Sequence, residues 1–311
     1  MASHPSFSII APIYGVERYI VNCADSLLGQ TYDNIQFIFV NDGTKDASID
    51  LLNKLIDERY SSLKDRIVIV NKLNGGLPAA RRTGMEYATG DYILHVDSDD
   101  WVETDMVEKI AAKAVETDSD VIYFDFFKEY STRSKLDQER EYTADSKMKF
   151  IWGLFNYKAY GYVWNKCVKR SLYEKNDIRF PSYGMHEDIF LMAQLLYCAE
   201  SIVHLPAALY HYRRDNPGSI SAAKTRNRRR DSAMNMMDLY ERYMTDLYNS
   251  PIRDSYGEIL LRTGWLSIRY GFGFFEKYPS LAENIRKQPI SFKNKTFIIW
   301  QLITKIYAFM K

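Results

Sequence analysis

The first third of the chain alternates short, almost continuously apolar runs with longer stretches whose apolar residues recur at helical spacing. The runs "FSIIAPI" (7–13), "IQFIFV" (35–40), "RIVIVN" (66–71) and "YILHV" (92–96) are β-branched or aromatic and bounded by turn formers, which predicts strands. Helices are predicted between them near 16–28, 47–60 and 78–88, followed by a helix over 105–116 and a strand at "DVIYFDFF" (120–127). Strands apolar on both faces, each followed by a helix, imply an α/β fold with a mostly parallel sheet covered by helices. Ligands of such sheets sit outside the carboxyl ends of the strands. That is where "NDG" (41–43), "NKLNGG" (71–76) and "DSDD" (97–100) fall.

The pattern then changes. Segment 130–145 is polar and charged and reads as a loop or mobile flap. "YGMHEDIFLMAQLLYC" (183–198) becomes helical in its later part. Helical spacing resumes after Ser219 and runs through the basic cluster "KTRNRRR" (224–230) to residue 311.

Composition bounds the reading. The 311 residues suffice for one large domain or two ordinary ones. With 46% hydrophobic and 26% charged residues the chain is globular rather than disordered. A net charge of +1 gives no global case for nucleic acid, so any electrostatic argument is local. The 24 Tyr and 16 Phe fit either a large core or a surface that stacks on rings and sugars. Cys23, Cys167 and Cys198 are scattered and form no CxxC pair, which argues for a reducing compartment. The first residues lack a basic region and a signal-type apolar run, and no stretch reaches the ~18 apolar residues of a spanning helix. The expectation is a cytoplasmic protein.

Three stretches carry candidate chemistry at the strand ends. In "VNDGTKDAS" (40–48) a carboxylate and a glycine after a strand can accept hydrogen bonds from a base or ribose, although a plain turn with Asp46 capping the next helix explains it as well. "NKLNGGLPAARRTG" (71–84) pairs glycines with Arg81 and Arg82 on the first turns of a helix, an arrangement suited to phosphate. It matches neither GxxxxGK[ST] nor GxGxxG. In "VDSDDW" (96–101) Asp97 and Asp99 lie on one side of an extended segment, as hard oxygen ligands for Mg²⁺ or Mn²⁺ would. Asp100 or Thr104 is expected to cap the following helix.

Further along, "MHEDIF" (185–190) puts Glu187 and Asp188 at a helix start, where they suit either the helix dipole or a general base. His95, inside a strand, reads as a packed residue. His211 in "LYHYRRDNPGSIS" (209–221) reads as a packed or surface strand residue or as an extra metal ligand. HExxH, GxSxG and the protein-kinase motifs are absent.

Taken in order, five of these stretches resemble the family 2 glycosyltransferases of GT-A fold. They are "SIIAPIYGVERYIVNCADSLLGQTYDNIQFIFVNDGTKDAS", "NGGLPAARRTGMEYATGDYILHVDSDDW", "WNKCVKRSLYEKNDIRFP", "HEDIFLMAQLL" and "LYHYRRDNPGSIS", and together they cover most of 8–221. The resemblance implies a Rossmann-like GT-A catalytic domain over 1–220, with a nucleotide part to about 128 and an acceptor part after it. A helical region over 221–311 follows. It implies an inverting transfer of a sugar from a nucleotide donor, expected to be UDP, to an acceptor hydroxyl of a saccharide or lipid-linked saccharide. It further implies that Pro12, Tyr14, Glu17 and Asp42 line the nucleotide pocket and that Lys72, Asn74, Gly75 and Arg81 complete its base and phosphate region. Asp97 and Ser98 would approach the donor, Asp99 would hold a divalent metal with His211 as a further ligand, and Asp188 would be the base. The family often has Asp-Asp where this chain has Asn41-Asp42, and an aromatic residue is common at the place of His211.

Two other readings stand beside it. A nucleotidyltransferase predicts a glycine-rich basic signature after the first strand, which "APIYGVERYI" lacks. A non-catalytic sugar- or membrane-binding protein is disfavoured by intact Asp97, Asp99 and Asp188. The apolar, lysine-dotted segment 293–311 suits either a membrane-interface helix, on the inner face of the cell membrane, or a helix packed on the catalytic domain.

Overall fold

The structure, a computed structural model, describes residues 4–138, 147–155, 159–181 and 186–216, together with residues 218, 235, 238 and 239. The elements below belong to the first of two compact units, Met1–Lys224. The basic cluster 224–230 and the segment 293–311 lie outside the described residues.

Four strands form the parallel half of the sheet: β1 (Phe7–Ile13), β2 (Ile35–Asn41), β3 (Ile67–Asn71) and β4 (Tyr92–His95), side by side in the order β3-β2-β1-β4. β1 is buried along its whole length, because both its edges are paired and both its faces are covered. Its alternation divides the core. Ile9 and Ala11 join the cluster beneath α1 (Ile20–Leu28) and α2 (Ser48–Arg59), whereas Ile10 joins Ile38, Val40, Val70 and Ile93 beneath Ala80 of α3 (Leu77–Tyr87). α1 buries Ile20, Cys23, Ala24, Leu27 and Leu28, the one-sided stripe expected of a 3.6-residue period. The chain runs outward from β1 to β3 and returns to the far side of β1 as β4. That reversal is a topological switch point, and the loops leaving β1 and β4 part there.

Beyond β4 the sheet is mixed, continuing β4-β8-β6-β9-β5. The elements are β5 (Trp101–Val102), α4 (Met106–Thr117), β6 (Val121–Tyr130), β7 (Arg133–Asp137), α5 (Lys147–Phe155), β8 (Lys166–Lys169), α6 (Arg170–Lys175), α7 (Glu187–Cys198) and β9 (Ile202–Arg213). β8 runs antiparallel to both β4 and β6, while β6 and β9 are parallel. The polar segment 130–145 is not wholly a loop. Its residues Arg133–Asp137 return along β6 as a hairpin strand, and β6 itself extends to Tyr130. β7 is exposed at four of its five positions, so it is held by backbone pairing and carries no apolar alternation. Residues 139–146 lie outside the described residues. Among the described residues no helix is long and apolar enough to cross a membrane.

Candidate active site

The loops leaving β1, β2 and β3 pack against one another and form one side of the site. Asp42 is buried after β2. Its Oδ1 accepts hydrogen bonds from Lys72 Nζ and the Gly75 amide (2.9 Å), and its Oδ2 accepts one from the Gly76 amide (2.8 Å). The contact is close: a Cβ on Gly43, whose φ is +70°, would stand 2.9 Å from the Asn74 amide nitrogen. Asn41 pairs its side-chain amide with Asn71 Oδ1 (2.8 Å) and accepts from the Thr44 amide (2.9 Å), so it ties β2 to β3 and shapes the turn. Tyr14 (57% exposed) and Leu73 (91% exposed) are large side chains left open on these loops, as the walls of a pocket for a flat ring would be. Glu17 stitches loops together, its amide donating to Asp46 Oδ2 (3.0 Å) and its carboxylate accepting from the Ala47 amide (3.3 Å).

The acidic turn after β4 is clamped from both sides. Ser98 is buried and its hydroxyl donates to the Pro12 carbonyl (2.6 Å), which locks the turn to β1 across the switch point. On the other side β9 and the residues that follow it supply three partners. The Tyr210 hydroxyl accepts from the Asp97 amide (3.1 Å) and donates to Asp100 Oδ2 (2.7 Å). The Arg213 amide donates to Asp100 Oδ1 (2.7 Å) and its Nε to the Asp99 carbonyl (3.0 Å). The Arg213 guanidinium lies over the rings of Tyr19 (4.9 Å) and Trp101 (4.8 Å). Asn216 Nδ2 donates to Asp99 Oδ2 (2.7 Å). Asp100 therefore caps nothing. Both its oxygens are used by β9, and the residue at the N-cap of α4, Asp105, makes no side-chain cap. Burial and then the neighbouring charge of Asp97 push the Asp99 carboxyl above its ordinary pKa.

Arg81 joins this turn to α7. Its buried guanidinium donates from Nη2 to Asp97 Oδ1 (2.8 Å) and from Nη1 to Asp188 Oδ1 (2.7 Å), with Glu187 Oε1 at 3.5 Å. Burial opposes its charge, but Asp188, Asp97 and Glu187 outweigh burial and hold it protonated. Three carboxylates facing one guanidinium leave negative charge in excess. Burial, with Asp188 next, pushes Glu187 well above the ordinary range, and burial also raises Asp188 although Arg81 pulls it down. The residue before this pair, His186, has a left-handed backbone with φ 59°, a conformation that costs a non-glycine residue on the order of 1–3 kcal/mol and clusters at functional sites.

Of the residues expected from the sequence, Asp42, Lys72, Gly75, Asn74 and Tyr14 come together on the loops, and Asp97, Ser98, Asp99 and Asp188 around the acidic turn. Arg81 differs from its expected place: three carboxylates engage its guanidinium, where a phosphate ligand was anticipated. His211 also differs. Its Nδ1 faces Glu129 (2.8 Å), its Nε2 faces Glu103 (3.0 Å), and its ring stacks between Trp101 and Phe127. Both nitrogens are engaged away from Asp99, so this is a packed strand histidine. His95 is buried, and burial, with Arg81 next, drives its pKa to about 3, which keeps it neutral. Tyr210, Arg213 and Asn216 were not anticipated. The one signal for them was their position in the stretch "LYHYRRDNPGSIS".

Comparison with known proteins agrees with this arrangement. Residues 8–177 match the family described as glycosyl transferase family 2. EpsH of Bacillus subtilis (strain 168), itself named a glycosyltransferase, is 35% identical over 215 residues, covering 67% of this chain and 61% of that protein. The chain thus spans about three fifths of the length of that relative. Among solved structures, S. aureus TarS in complex with UDP-GlcNAc superposes with a TM-score of 0.63 at 19% identity, over 89% of this chain and 79% of that one. The mannosyltransferase PcManGT from Pyrobaculum calidifontis, in complex with GDP-Man and Mn²⁺, does so with a TM-score of 0.55 at 12% identity, over 98% and 81%. These likenesses establish the fold as GT-A, and the family match establishes that the chain belongs to glycosyl transferase family 2.

Proposed function

We propose that the protein transfers a sugar from a nucleotide donor, a UDP-sugar, to a hydroxyl of a saccharide or lipid-linked saccharide in surface polysaccharide or glycolipid synthesis, with inversion at the anomeric carbon. The observation that carries the reading is the meeting of Asp97, Glu187 and Asp188 on Arg81, beside the loops built around Asp42. Donor-side and base-side groups thus share one cluster at the carboxyl ends of β1 and β4. The UDP-GlcNAc and GDP-Man of the structural neighbours support a nucleotide-sugar donor.

In this reading the nucleotide lies across the loops of Tyr14, Asp42 and Lys72–Gly75. Asp99, with Asp97 beside it, would hold a divalent cation, Mn²⁺ or Mg²⁺. The donor set fits one, because two hard carboxylates stand two residues apart and Asp99 already resists ionisation there. Among the described residues no group of three or more His, Cys, Asp or Glu could hold a metal ion. When bound, such a cation supplies positive charge to the departing diphosphate. Asp188 accepts the proton of the acceptor hydroxyl while the oxygen attacks from the face opposite the leaving group. Its burial raises its proton affinity as a base requires, while the Arg81 guanidinium favours the ionised form.

The test is release of UDP from a panel of UDP-sugars with Mn²⁺ and with EDTA. Asp188→Asn is expected to retain UDP binding and to lose transfer by about 10²–10⁴-fold, the usual contribution of a positioned base. Absence of metal-dependent turnover with every nucleotide sugar refutes the reading, and full activity in Asp188→Asn removes Asp188 as the base.

A further inference from the structure

The stretch before β8 carries aromatic residues at every second position, Tyr160, Tyr162 and Trp164, and the described tyrosines around it use their hydroxyls with one exception. The rings form a ladder. Tyr160 stacks on Tyr162 (centroids 5.2 Å apart, 13°), Tyr162 on Trp164 (4.5 Å, 14°) and Trp164 on Tyr210 (4.3 Å, 16°), with Phe126 edge-on to three of them. The Tyr160 hydroxyl donates to Asp137 Oδ2 (2.9 Å), Tyr210 donates to Asp100, and Tyr212 accepts from Arg214 Nη1 (2.9 Å). Among the described residues the hydroxyl of Tyr162, a partly buried side chain, has no hydrogen-bond partner. Tyr162 is only partly buried and its hydroxyl is not among the fully buried polar atoms without a partner, so it is a phenol held in place by stacking with its oxygen open to a ligand.

That hydroxyl belongs to a backbone segment fixed against the proposed base. A Cβ on Gly161 would lie 2.5 Å from Ile189 Cγ1 and 3.3 Å from Ile189 Cα, so the segment runs directly against the residue that follows Asp188. Buried Lys166 donates to the carbonyls of Tyr160 (2.8 Å) and Tyr162 (3.0 Å) and to Asn165 Oδ1 (2.7 Å), which fixes the backbone on either side of Gly161. The charge of Asp188 reaches the Tyr162 phenol, and Arg214 over the Tyr212 ring (5.1 Å) adds a cation nearby. Stacking holds the ring, Lys166 holds the chain, and neither uses the hydroxyl.

We propose that Tyr162 is an acceptor-positioning residue whose hydroxyl donates a hydrogen bond to an oxygen of a pyranose acceptor and so sets the attacking hydroxyl beside Asp188. The inference rests on the glycosyl-transfer reading above and names the acceptor class, a sugar ring with a hydroxyl or ring oxygen next to the reacting position. A site built to hydrogen-bond a substrate hydroxyl discriminates strongly, because the protein group stays unpaired when that partner is missing.

Tyr162→Phe removes the oxygen and keeps the ring in its stack, so the fold is not at stake. Binding of UDP with Mn²⁺ and metal-dependent UDP release into water are measured first; failure there strikes the parent reading alone. UDP release is then measured with methyl glycosides of glucose, galactose, N-acetylglucosamine and N-acetylgalactosamine, and with their β-linked disaccharides. At least one sugar is expected to accelerate release in the wild type. Tyr162→Phe is expected to lower kcat/KM for that sugar about tenfold, mainly through KM, with the acid limb of the pH profile and the affinity for UDP unmoved. An unchanged acceptor KM, a parallel loss of UDP affinity, or acceleration by none of the sugars while UDP and metal still bind overturns the proposal.

Discussion

Arg81→Met tests the arrangement most directly, since it deletes the one guanidinium shared by Asp97, Glu187 and Asp188. At an effective dielectric near 20, two charges 4 Å apart interact by roughly 4 kcal/mol, and breaking a buried ion pair costs about 3–5 kcal/mol. The Arg81 side chain is 2% exposed, but its partners are 13–25% exposed and partly screened, so the lower end applies. The expected loss is about 3 kcal/mol at pH 8, or a fall of roughly 6–12 °C in melting temperature for a unit of this size. Its pH dependence follows from the raised carboxyls. Glu187 and Asp188 already titrate above their ordinary values, and loss of the cation raises them further. A carboxyl raised on folding contributes stability that is present below its unfolded pKa and lost as pH climbs through the folded one. The variant should therefore approach the wild type at pH 5 and fall behind it at pH 8. Thermal unfolding followed by tryptophan fluorescence at pH 5, 6.5 and 8 measures the gap. Arg81→Lys is expected to lie between, because an ammonium cannot address three carboxylates as a planar fork does. A gap constant across that range, or a Met variant as stable as the wild type, refutes the account of the cluster.

Two further outcomes test the scaffold beneath the site. A Cβ at Gly84 would overlap Ile10 Cγ2, so Gly84→Ala should cost about 1–3 kcal/mol of packing, more than the roughly 1 kcal/mol gained in helix propensity; a variant that melts higher contradicts the close approach of α3 to β1. For Asp46, partial burial works against its charge, but hydrogen bonds from Ser48, Thr44 and the Glu17 amide outweigh burial and hold its carboxyl below the ordinary 3.8. Asp46→Asn should be less stable than the wild type at pH 7, and the difference should begin to shrink as pH falls past about 3.8 and go on shrinking towards the lower folded value, since a depressed carboxyl loses its contribution on protonation; a difference that does not shrink in acid removes Asp46 as the link between these loops.

The parallel half of the fold was legible because its signals are local. β1, β2 and β3 are unbroken apolar runs, and the carboxylates and glycines at their ends mark the side on which ligands bind. β7 was illegible because a strand held by backbone pairing at an exposed hairpin needs no apolar alternation, and "RSKLD" has none. The partners of the acidic turn were hidden for another reason. Tyr210, Arg213 and Asn216 stand more than a hundred positions from Asp97–Asp100, and only pairing of β9 with β5 and β6 brings them there. His211 shows the same limit. Its neighbours in sequence are compatible with metal binding, but the register that sets it opposite Trp101 also sets it between Glu103 and Glu129.

The departures from ordinary folding rules fall on one place. A guanidinium is buried in α3, a non-glycine residue takes the left-handed conformation ahead of α7, Asp100 is buried with its pKa pushed well up by burial and by Asp99, and Glu187 behaves likewise. Each lowers stability on its own, and such concentration is expected where function constrains the chain. The cluster also explains why the crowding persists. Asp97 and Asp188 are each bonded to a different nitrogen of the same guanidinium, and the proposed reaction sets Asp97 on the donor side and Asp188 on the acceptor side. A charge that arrives at Asp97 weakens the hold of Arg81 on Asp188 or strengthens it, depending on sign. In the proposed reaction a cation drawn to Asp97 would compete with Arg81 there and leave the guanidinium more fully to Asp188, favouring the ionised form of that carboxylate. Replacement of this network by apolar residues of similar volume would be neutral to stabilising for the fold, but it would remove the guanidinium that holds Asp97 and Asp188 together.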